Sequence, residues 1–316
     1  MLIAHYSPNP FATKFEKYLP EHKFLANKCT KDVDFIYCAS VSQIHWAIIA
    51  KKQFKKPLVC WVWDIPYNWR DWCRTEKERA EHKHRDGAVL KNITALQQWA
   101  DKVISASKWT QSVLKDKFNI DSEQMYFYID TEEFDAVPEQ ENKGHVIQIS
   151  RYAINKRFDL TIRAMKGIDR ELICIGFGSN TDLVHLAKEV GVDVTFYQNL
   201  ERRKVIELIK QSELLVSPSV FEGWGLSPIE ALHCDKAILL GDLEVFKEVY
   251  GDDAVYHKRD DAEDMNRKIF DFLCRQSMRQ KIVHDCKPLI SEFTIPKFAN
   301  RWNELIRDYM GIVDNG

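Results

Sequence analysis

The stretch from Leu214 to Cys234, LLVSPSVFEGWGLSPIEALHC, constrains the fold of this chain most strongly. An apolar run predicts a short buried strand, and a turn with two glycines follows it. A helix is predicted next, with Ser227 as its N-cap and Pro228 in its first position. Unpaired backbone N–H groups at such a helix start favour an anion. Because Glu222 and Glu230 flank the turn, the pattern predicts a site for an anionic ligand that also meets two carboxylates.

This stretch resembles the signature of retaining glycosyltransferases of family 4, the large "group 1" family, whose fold is GT-B. That signature is E-x7-E within PS-x-x-E-G-x-G-L-x-x-x-E-A. The residues that match it are Pro218, Ser219, Glu222, Gly223, Gly225, Leu226, Glu230 and Ala231. From the residues alone an alternative stays open, in which Glu230 completes a capping box with Ser227 and Glu222 is a solvated loop residue.

The order of apolar runs indicates an α/β fold built from parallel sheets, because strand-like runs alternate with helix-spaced apolar residues. The strands predicted in the first half are Leu2–Tyr6, Val33–Ala39, Leu58–Trp63, Val103–Ser105 and Tyr126–Ile129. Those predicted in the second half are His145–Ile149, Leu172–Ile175, Val194–Tyr197, Leu214–Val216 and Ala237–Leu240. A polar segment, Glu132 to Gly144, separates the two halves and is the predicted linker.

The resemblance implies a GT-B architecture, with two Rossmann-like parallel-sheet domains facing a cleft. Residues 1–137 would form the acceptor-side domain and residues 138–295 the nucleotide-sugar donor domain. Residues 296–316 would form a C-terminal helix that packs back on the first domain, and the apolar stripe of Phe298, Trp302, Leu305 and Ile306 suits that contact.

A second motif begins the second half: Ser150–Arg151–Tyr152, with Lys156 five residues beyond Arg151. It resembles the family's phosphate clamp, G-R-L-x-x-x-K-G, although Ser150, Tyr152 and Arg157 depart from it. A nucleotide-sugar donor releases a diphosphate, so fixed cations stabilise the charge that grows as the glycosidic bond breaks. Arginine supplies a bidentate fork and lysine a point charge.

The resemblance implies catalytic roles for Glu222, Arg151 and Lys156. Glu222 would hold the hydroxyls of the donor sugar, and Glu230 those of the ribose. The backbone from Gly223 to Leu226 would meet the sugar and the diphosphate, a Gly-x-Gly turn would line the domain cleft, and residues 197–200 would lie near the base. The remaining donor-binding residues are therefore expected to be Gly223, Trp224, Gly225, Leu226, Gly178 and Gln198.

The first half matches the family less well. Ser7–Pro10 stands where members carry a Gly-Gly pair, and Trp63–Pro66 stands where many carry a histidine. Asp64 could orient the acceptor hydroxyl, although an Asp that simply ends a strand is equally consistent with its position. The aromatic segment Trp61–Trp72 is explained as well by packing as by contact with an acceptor or a membrane surface. Asp32–Asp34 has the letters of a metal motif but is expected to cap a strand.

The amino-acid composition limits the classes of binding partner and the cellular compartment that we expect. The 316 residues are 45% hydrophobic, so two domains can each bury a core. Forty-five basic residues against 47 acidic ones leave a net charge of −2, which argues against a nucleic-acid partner. Eight cysteines without a C-x-x-C pair indicate free thiols in a reducing compartment. With no signal peptide or spanning segment predicted, we expect a cytoplasmic protein, and peripheral membrane contact stays open.

Together these observations favour a retaining, metal-independent hexosyltransferase with no resident cofactor. Its donor would be a nucleotide-diphosphate sugar, with GDP-mannose marginally favoured over a UDP-sugar. Its acceptor would be a hydroxyl of a glycan or of a lipid-linked molecule. The alternative is a non-catalytic protein that binds nucleotide sugars. The acceptor, the linkage and the oligomeric state are not specified by the sequence.

Overall fold

The computed structural model describes residues 1–7, 17–66, 69–82 and 84–311. The predicted turn at Ser7–Pro10 falls largely outside this part of the chain, as do Tyr67 and the ring of Trp69. The chain forms two compact units. One comprises Met1–Tyr128 together with the chain from Ile295, and the other comprises Ile129–Thr294.

The first unit is a six-stranded parallel sheet with helices. Its strands are β1 Leu2–Tyr6, β2 Lys23–Ala26, β3 Phe35–Cys38, β4 Leu58–Val62, β5 Lys102–Ser105 and β6 Glu123–Gln124. They lie in the order β2-β1-β3-β4-β5-β6. Its helices are α1 Ile44–Phe54, α2 Trp69–Trp72, α3 Glu76–His82, α4 Arg85–Trp99 and α5 Lys108–Phe118, with a 3-10 turn at Val41–Gln43.

The second unit repeats this plan. Its strands are β7 His145–Ile149, β8 Leu172–Gly176, β9 Val194–Gln198, β10 Ser212–Ser217, β11 Ala237–Gly241 and β12 Val255–His257. They form one parallel sheet in the order β12-β11-β10-β7-β8-β9. Its helices are α6 Thr131–Asp135, α7 Phe158–Ala164, α8 Thr181–Val190, α9 Arg202–Gln211, α10 Leu226–His233, α11 Glu244–Tyr250, α12 Ala262–Cys274 and α13 Gln276–Cys286. Short 3-10 helices occupy Ile154–Lys156, Gly251–Asp253 and Lys287–Glu292.

The strand order of the second unit fixes where a ligand can bind. From β7 the chain moves outward through β8 and β9, then returns to β10 and continues in the opposite direction. The order therefore reverses between β7 and β10, and ligands of open parallel sheets bind at the carboxyl ends of the strands beside such a reversal. Residues 150–157 follow β7, and residues 218–225 follow β10. The clamp motif lies in the first loop, and the E-x7-E motif begins in the second loop and ends in α10.

The last helix, α14 (Ile295–Met310), belongs to the first unit. Its apolar stripe is buried, with the ring of Trp302 packed edge-on against Tyr37 at 4.7 Å between centroids. Phe298 packs against Trp61 at 5.8 Å. The apolar stripe identified in the sequence is therefore the face of α14 that packs on the first unit.

Several element predictions were wrong in detail. The last strand of the first unit is Glu123–Gln124 rather than Tyr126–Ile129, since Ile129 instead bridges to Thr294 in the second unit. The short strands β2 and β12 and helix α11 were not predicted. The segment expected to be a linker begins with a helix, α6, whose buried Phe134 packs against His233. The second unit accordingly starts at Ile129, earlier than residue 138.

The carboxylate of Asp34 accepts a hydrogen bond from the backbone N–H of Leu2 at 2.8 Å, at the start of β1.

In the part of the chain that the structure describes, no helix combines the length and the apolar composition needed to span a bilayer.

Candidate active site

Two loops that lie far apart in the sequence meet where the second sheet reverses its strand order. The ammonium group of Lys156 lies 2.6 Å from Oε1 of Glu222. The hydroxyl of Ser219 donates to the same carboxylate oxygen at 2.8 Å. The two charged side chains are only 10% and 15% exposed, so their attraction is little screened by water. The structure therefore joins two of the three predicted catalytic side chains of this unit in one ion pair.

Backbone contacts hold the loops in this arrangement. The N–H of Val220 donates to the carbonyl of Asn155 at 2.9 Å, and the side chain of Gln148 donates to the carbonyl of Lys156 at 2.7 Å. Arg157 has a left-handed backbone with φ of 50°. This position is the second glycine of the resembled clamp, which explains the glycine there, because glycine takes a positive φ without strain.

Arg157 is also buried, and its Nε lies 2.9 Å from a carboxylate oxygen of Asp260. This ion pair offsets the cost of burying a guanidinium group. Because Arg157 directly follows Lys156, this ion pair holds the end of the loop that carries Lys156.

Helix α10 begins at Leu226, because Gly225 supplies a backbone that other residues rarely adopt. Gly225 has φ of 94°, and a Cβ at this position would lie 2.5 Å from the Phe246 ring. The prediction of Ser227 as N-cap was therefore wrong, since Ser227 is already inside the helix. Glu230 consequently falls in the second turn, where it cannot complete a capping box.

Glu230 is instead held by a side chain that the sequence did not single out. Nη2 of Arg202 donates to Oε1 of Glu230 at 2.7 Å, and its Nε donates to Glu133 at 3.2 Å. The guanidinium also lies 4.8 Å from the centre of the Phe134 ring. Burial alone would lower the pKa of Arg202, but the two carboxylates outweigh it and raise that pKa. Arg202 is therefore a permanent cation that fixes the Glu230 carboxylate.

Arg151, the remaining predicted cation, is exposed at the start of its loop. Within the described residues it forms no ion pair. Its neighbour Tyr152 anchors the loop, with its hydroxyl 2.9 Å from the carbonyl of Cys174 and 2.8 Å from that of Tyr197. Burial raises the pKa of Tyr152, so this hydroxyl stays a neutral donor. The anchored loop thus presents Arg151 to solvent.

The predicted Gly-x-Gly turn packs directly on this loop. A Cβ at Gly176 would lie 2.2 Å from the carbonyl oxygen of Ser150, so only glycine allows the two backbones to approach. Gly178 has φ of 102°, and the carbonyl of Phe177, between the two glycines, accepts from the N–H of Tyr152 at 2.9 Å.

Gln198 ends β9 at the same edge of the sheet and is exposed. Its side chain donates to Asn180 at 3.0 Å. Gly178 and Gln198 therefore both lie at the carboxyl edge of the sheet that also carries Arg151, Lys156 and Glu222.

Trp224 and Asp64 differ from the other predicted site residues. The ring of Trp224 is buried and packs edge-on against Phe293 at 4.9 Å, so any contact of Trp224 with a ligand is restricted to its backbone. Asp64 belongs to the first unit, where it follows β4 and is half-buried. Its role toward an acceptor stays a prediction.

A cavity of about 720 Å³ lies at the opposite, amino-terminal edge of the second sheet. Its walls include Ser212 at the start of β10, Ala237 at the start of β11, and the ion pair between Glu213 and Arg279. None of the predicted site residues lines it. The two edges of the sheet are thus chemically distinct, and the predicted residues share only the carboxyl edge.

Comparison with known proteins relates the sequence of the second unit to a family. Residues 130–286 match the family model described as Glycosyl transferases group 1. Over this range the second unit is similar to group 1 glycosyltransferases. The match spans the residues of the candidate site in this unit, from Arg151 to Glu230.

One curated relative of this chain is the O-antigen chain mannosyltransferase RfbU of Salmonella typhimurium. It is 24% identical over 168 residues, which cover 51% of this chain and 48% of the relative. The alignment therefore spans about half the length of that protein.

Solved structures extend the likeness to nearly the whole chain. Anabaena Alr3699/HepE in complex with UDP-glucose has a TM-score of 0.77 at 14% identity, covering 98% of this chain and 100% of the other. Sucrose-phosphate synthase from Thermosynechococcus elongatus has a TM-score of 0.75 at 15% identity, covering 96% and 78%. At these identities the comparison concerns the fold, and it confirms the predicted GT-B class with two Rossmann-like domains.

Proposed function

We propose that this protein is a retaining glycosyltransferase of family 4 that transfers a sugar from a nucleotide-diphosphate donor to a hydroxyl acceptor. The observation that carries the proposal is the ion pair between Lys156 and Glu222. It brings the clamp motif and the E-x7-E motif, which lie 65 or more residues apart in the chain, to 2.6 Å at the reversal point of the second sheet.

The charges suggest how the donor is held. Lys156 already has a carboxylate partner, whereas Arg151 has none in the described part of the chain. Arg151 is therefore the cation best able to meet the diphosphate, together with the backbone N–H groups from Gly223 to Leu226 at the start of α10. Glu230, fixed by Arg202, is proposed to accept hydrogen bonds from the ribose hydroxyls.

The reaction we infer follows from this arrangement and from the family resemblance. The bond between the anomeric carbon and the leaving phosphate oxygen breaks, and the acceptor oxygen bonds to the same face of the sugar. The departing phosphate oxygen takes the acceptor proton, so no protein nucleophile is required. Lys156 and Arg151 stabilise the negative charge that develops on the phosphate, and Glu222 orients the sugar hydroxyls. We propose that these fixed cations replace a divalent metal.

The relatives suggest two candidate donors and do not distinguish between them. The name of the Salmonella relative, a mannosyltransferase, favours GDP-mannose. The UDP-glucose complex of the Anabaena structure favours a UDP-sugar instead. An O-antigen chain is a glycan, which supports a glycan or lipid-linked hydroxyl as acceptor. The proposed partners are therefore a nucleotide sugar and a carbohydrate-bearing acceptor.

A thermal-shift series with GDP, UDP, GDP-mannose and UDP-glucose tests the proposal. A ligand at a hundred times its dissociation constant should stabilise the protein by about 2.7 kcal/mol. We expect one base to give the larger shift, and Arg151→Met to remove most of it. Hydrolysis or transfer of the sugar in the same sample establishes the enzyme, whereas binding without turnover supports the non-catalytic alternative. No shift with any of the four would contradict both.

A further inference from the structure

Helix α1 of the first unit presents two large apolar side chains to water. Trp46 is 59% exposed and Ile49 is 55% exposed. The opposite side of the helix is buried in the core through Ile44, Ala47 and Ile48. At 3.6 residues per turn, Trp46, Ile49 and Lys52 share about a third of the helix circumference. The core of its own unit therefore does not use this face.

The same helix ends in a cluster of lysines. Lys51, Lys52, Lys55 and Lys56 line a depression of about 490 Å³, together with Trp99, Asp101 and Tyr309. Lys51 is satisfied inside the unit, since its ammonium group pairs with Asp101 and donates to the carbonyl of Trp99 at 2.8 Å. Asp101 is the single carboxylate among the residues that line this depression.

The other three lysines keep their charge available. Lys52 lies 4.3 Å above the centre of the Trp99 ring. Lys52, Lys55 and Lys56 form no ion pair among the described residues. The depression therefore carries an excess of positive charge although the whole chain has a net charge of −2.

We propose that the α1 surface, defined as Trp46, Ile49, Lys52, Lys55 and Lys56, docks on a bilayer that contains anionic phospholipids. Lysine side chains are attracted by lipid phosphates, and tryptophan with a neighbouring aliphatic residue inserts at the depth of the headgroups. A soluble phosphate would account for the lysines but not for the two exposed apolar side chains beside them. Charge complementarity and apolar exposure on one helix thus point to the same occupant.

Vesicle co-sedimentation of the full chain tests the proposal. We expect binding to equimolar phosphatidylcholine and phosphatidylglycerol that weakens with added salt, and no binding to phosphatidylcholine alone. Each lysine near an anionic surface contributes roughly a fivefold factor, so the triple variant Lys52→Gln, Lys55→Gln, Lys56→Gln should bind on the order of a hundredfold more weakly. The double variant Trp46→Ser, Ile49→Ser should also bind about tenfold more weakly, since it loses its apolar contact.

Phe270→Ser is the matched control, because Phe270 is 58% exposed but lies on α12 of the second unit. It should bind anionic vesicles like the unmodified protein. All variants should keep the same melting temperature and the same donor-induced thermal shift, which separates this surface from the proposed transferase site. Absence of vesicle binding, unchanged binding by either surface variant, or equal binding to uncharged vesicles would overturn the proposal. So would full displacement from vesicles by millimolar inorganic phosphate at constant ionic strength.

Discussion

Glu222→Gln is expected to lower the rate of sugar transfer by on the order of 10²-fold or more, the scale of losing one group that stabilises charge in a transition state. The substitution keeps the shape of the side chain and its contact with Ser219. It removes the negative charge that pairs with Lys156 at 2.6 Å and that we propose orients the sugar. Steady-state kinetics with saturating acceptor, and a melting curve to verify folding, measure the effect.

Lys156→Met should produce a loss of similar size, because the leaving phosphate would lose one of its two proposed cations and the charge of Glu222 would lose its partner. Since the two residues touch, the double variant should lose much less than the product of the single effects. Glu207→Gln is the matched control, as Glu207 pairs with Lys204 at 3.1 Å on the surface of α9. Rates near the unmodified level in either single variant would refute the role given to that residue.

The free energy of unfolding is expected to fall as the pH drops from about 6.5 to about 4, and His5 is a main cause. The ring of His5 is buried on β1 between Phe24 and Tyr37, and burial lowers the pKa of His5 to about 4. In the unfolded chain its pKa is 6.5. As the pH falls, the His5 ring therefore binds a proton in the unfolded state before it does so in the folded state. The stability that this difference contributes is complete above pH 6.5 and is lost between pH 6.5 and about 4. The loss amounts to about 3 kcal/mol.

Denaturant unfolding at several pH values, compared with His5→Phe, isolates this contribution. Burial also lowers the pKa of His22, His145 and His257, so these residues add to the slope in both proteins. The phenylalanine variant should lose less stability between pH 7 and pH 4, whatever its stability at pH 7. Parallel pH profiles for the two proteins would show that His5 does not carry the effect.

Site residues that belong to short sequence motifs could be identified from the sequence, whereas those whose role depends on tertiary contacts could not. Lys156 and Glu222 were identified because each lies in a motif with a defined spacing. Arg202 was not, since its importance arises only when α9 brings it to Glu230 and Glu133. Arg202 is the first residue of α9, and many surface arginines share such a position, so the sequence alone did not distinguish it.

The helix start at Gly225 shows a local rule overridden by packing. Ser227 and Pro228 have the residue types of an N-cap and a first helical position, but Gly225 lies against Phe246 and takes a positive φ that begins the helix earlier. Long apolar strands such as β7 were predicted to the residue. The two-residue strand β6 and the short strands β2 and β12 lack apolar runs long enough to be distinguished from loops.

A crystal structure with bound UDP or GDP, whichever gives the larger thermal shift, tests the central claim most directly. We expect the diphosphate within hydrogen-bond distance of the Arg151 guanidinium and of backbone N–H groups between Gly223 and Leu226, and the ribose hydroxyls within hydrogen-bond distance of Glu230. A nucleotide bound instead in the cavity at the amino ends of β10 and β11, beside Glu213 and Arg279, would contradict it.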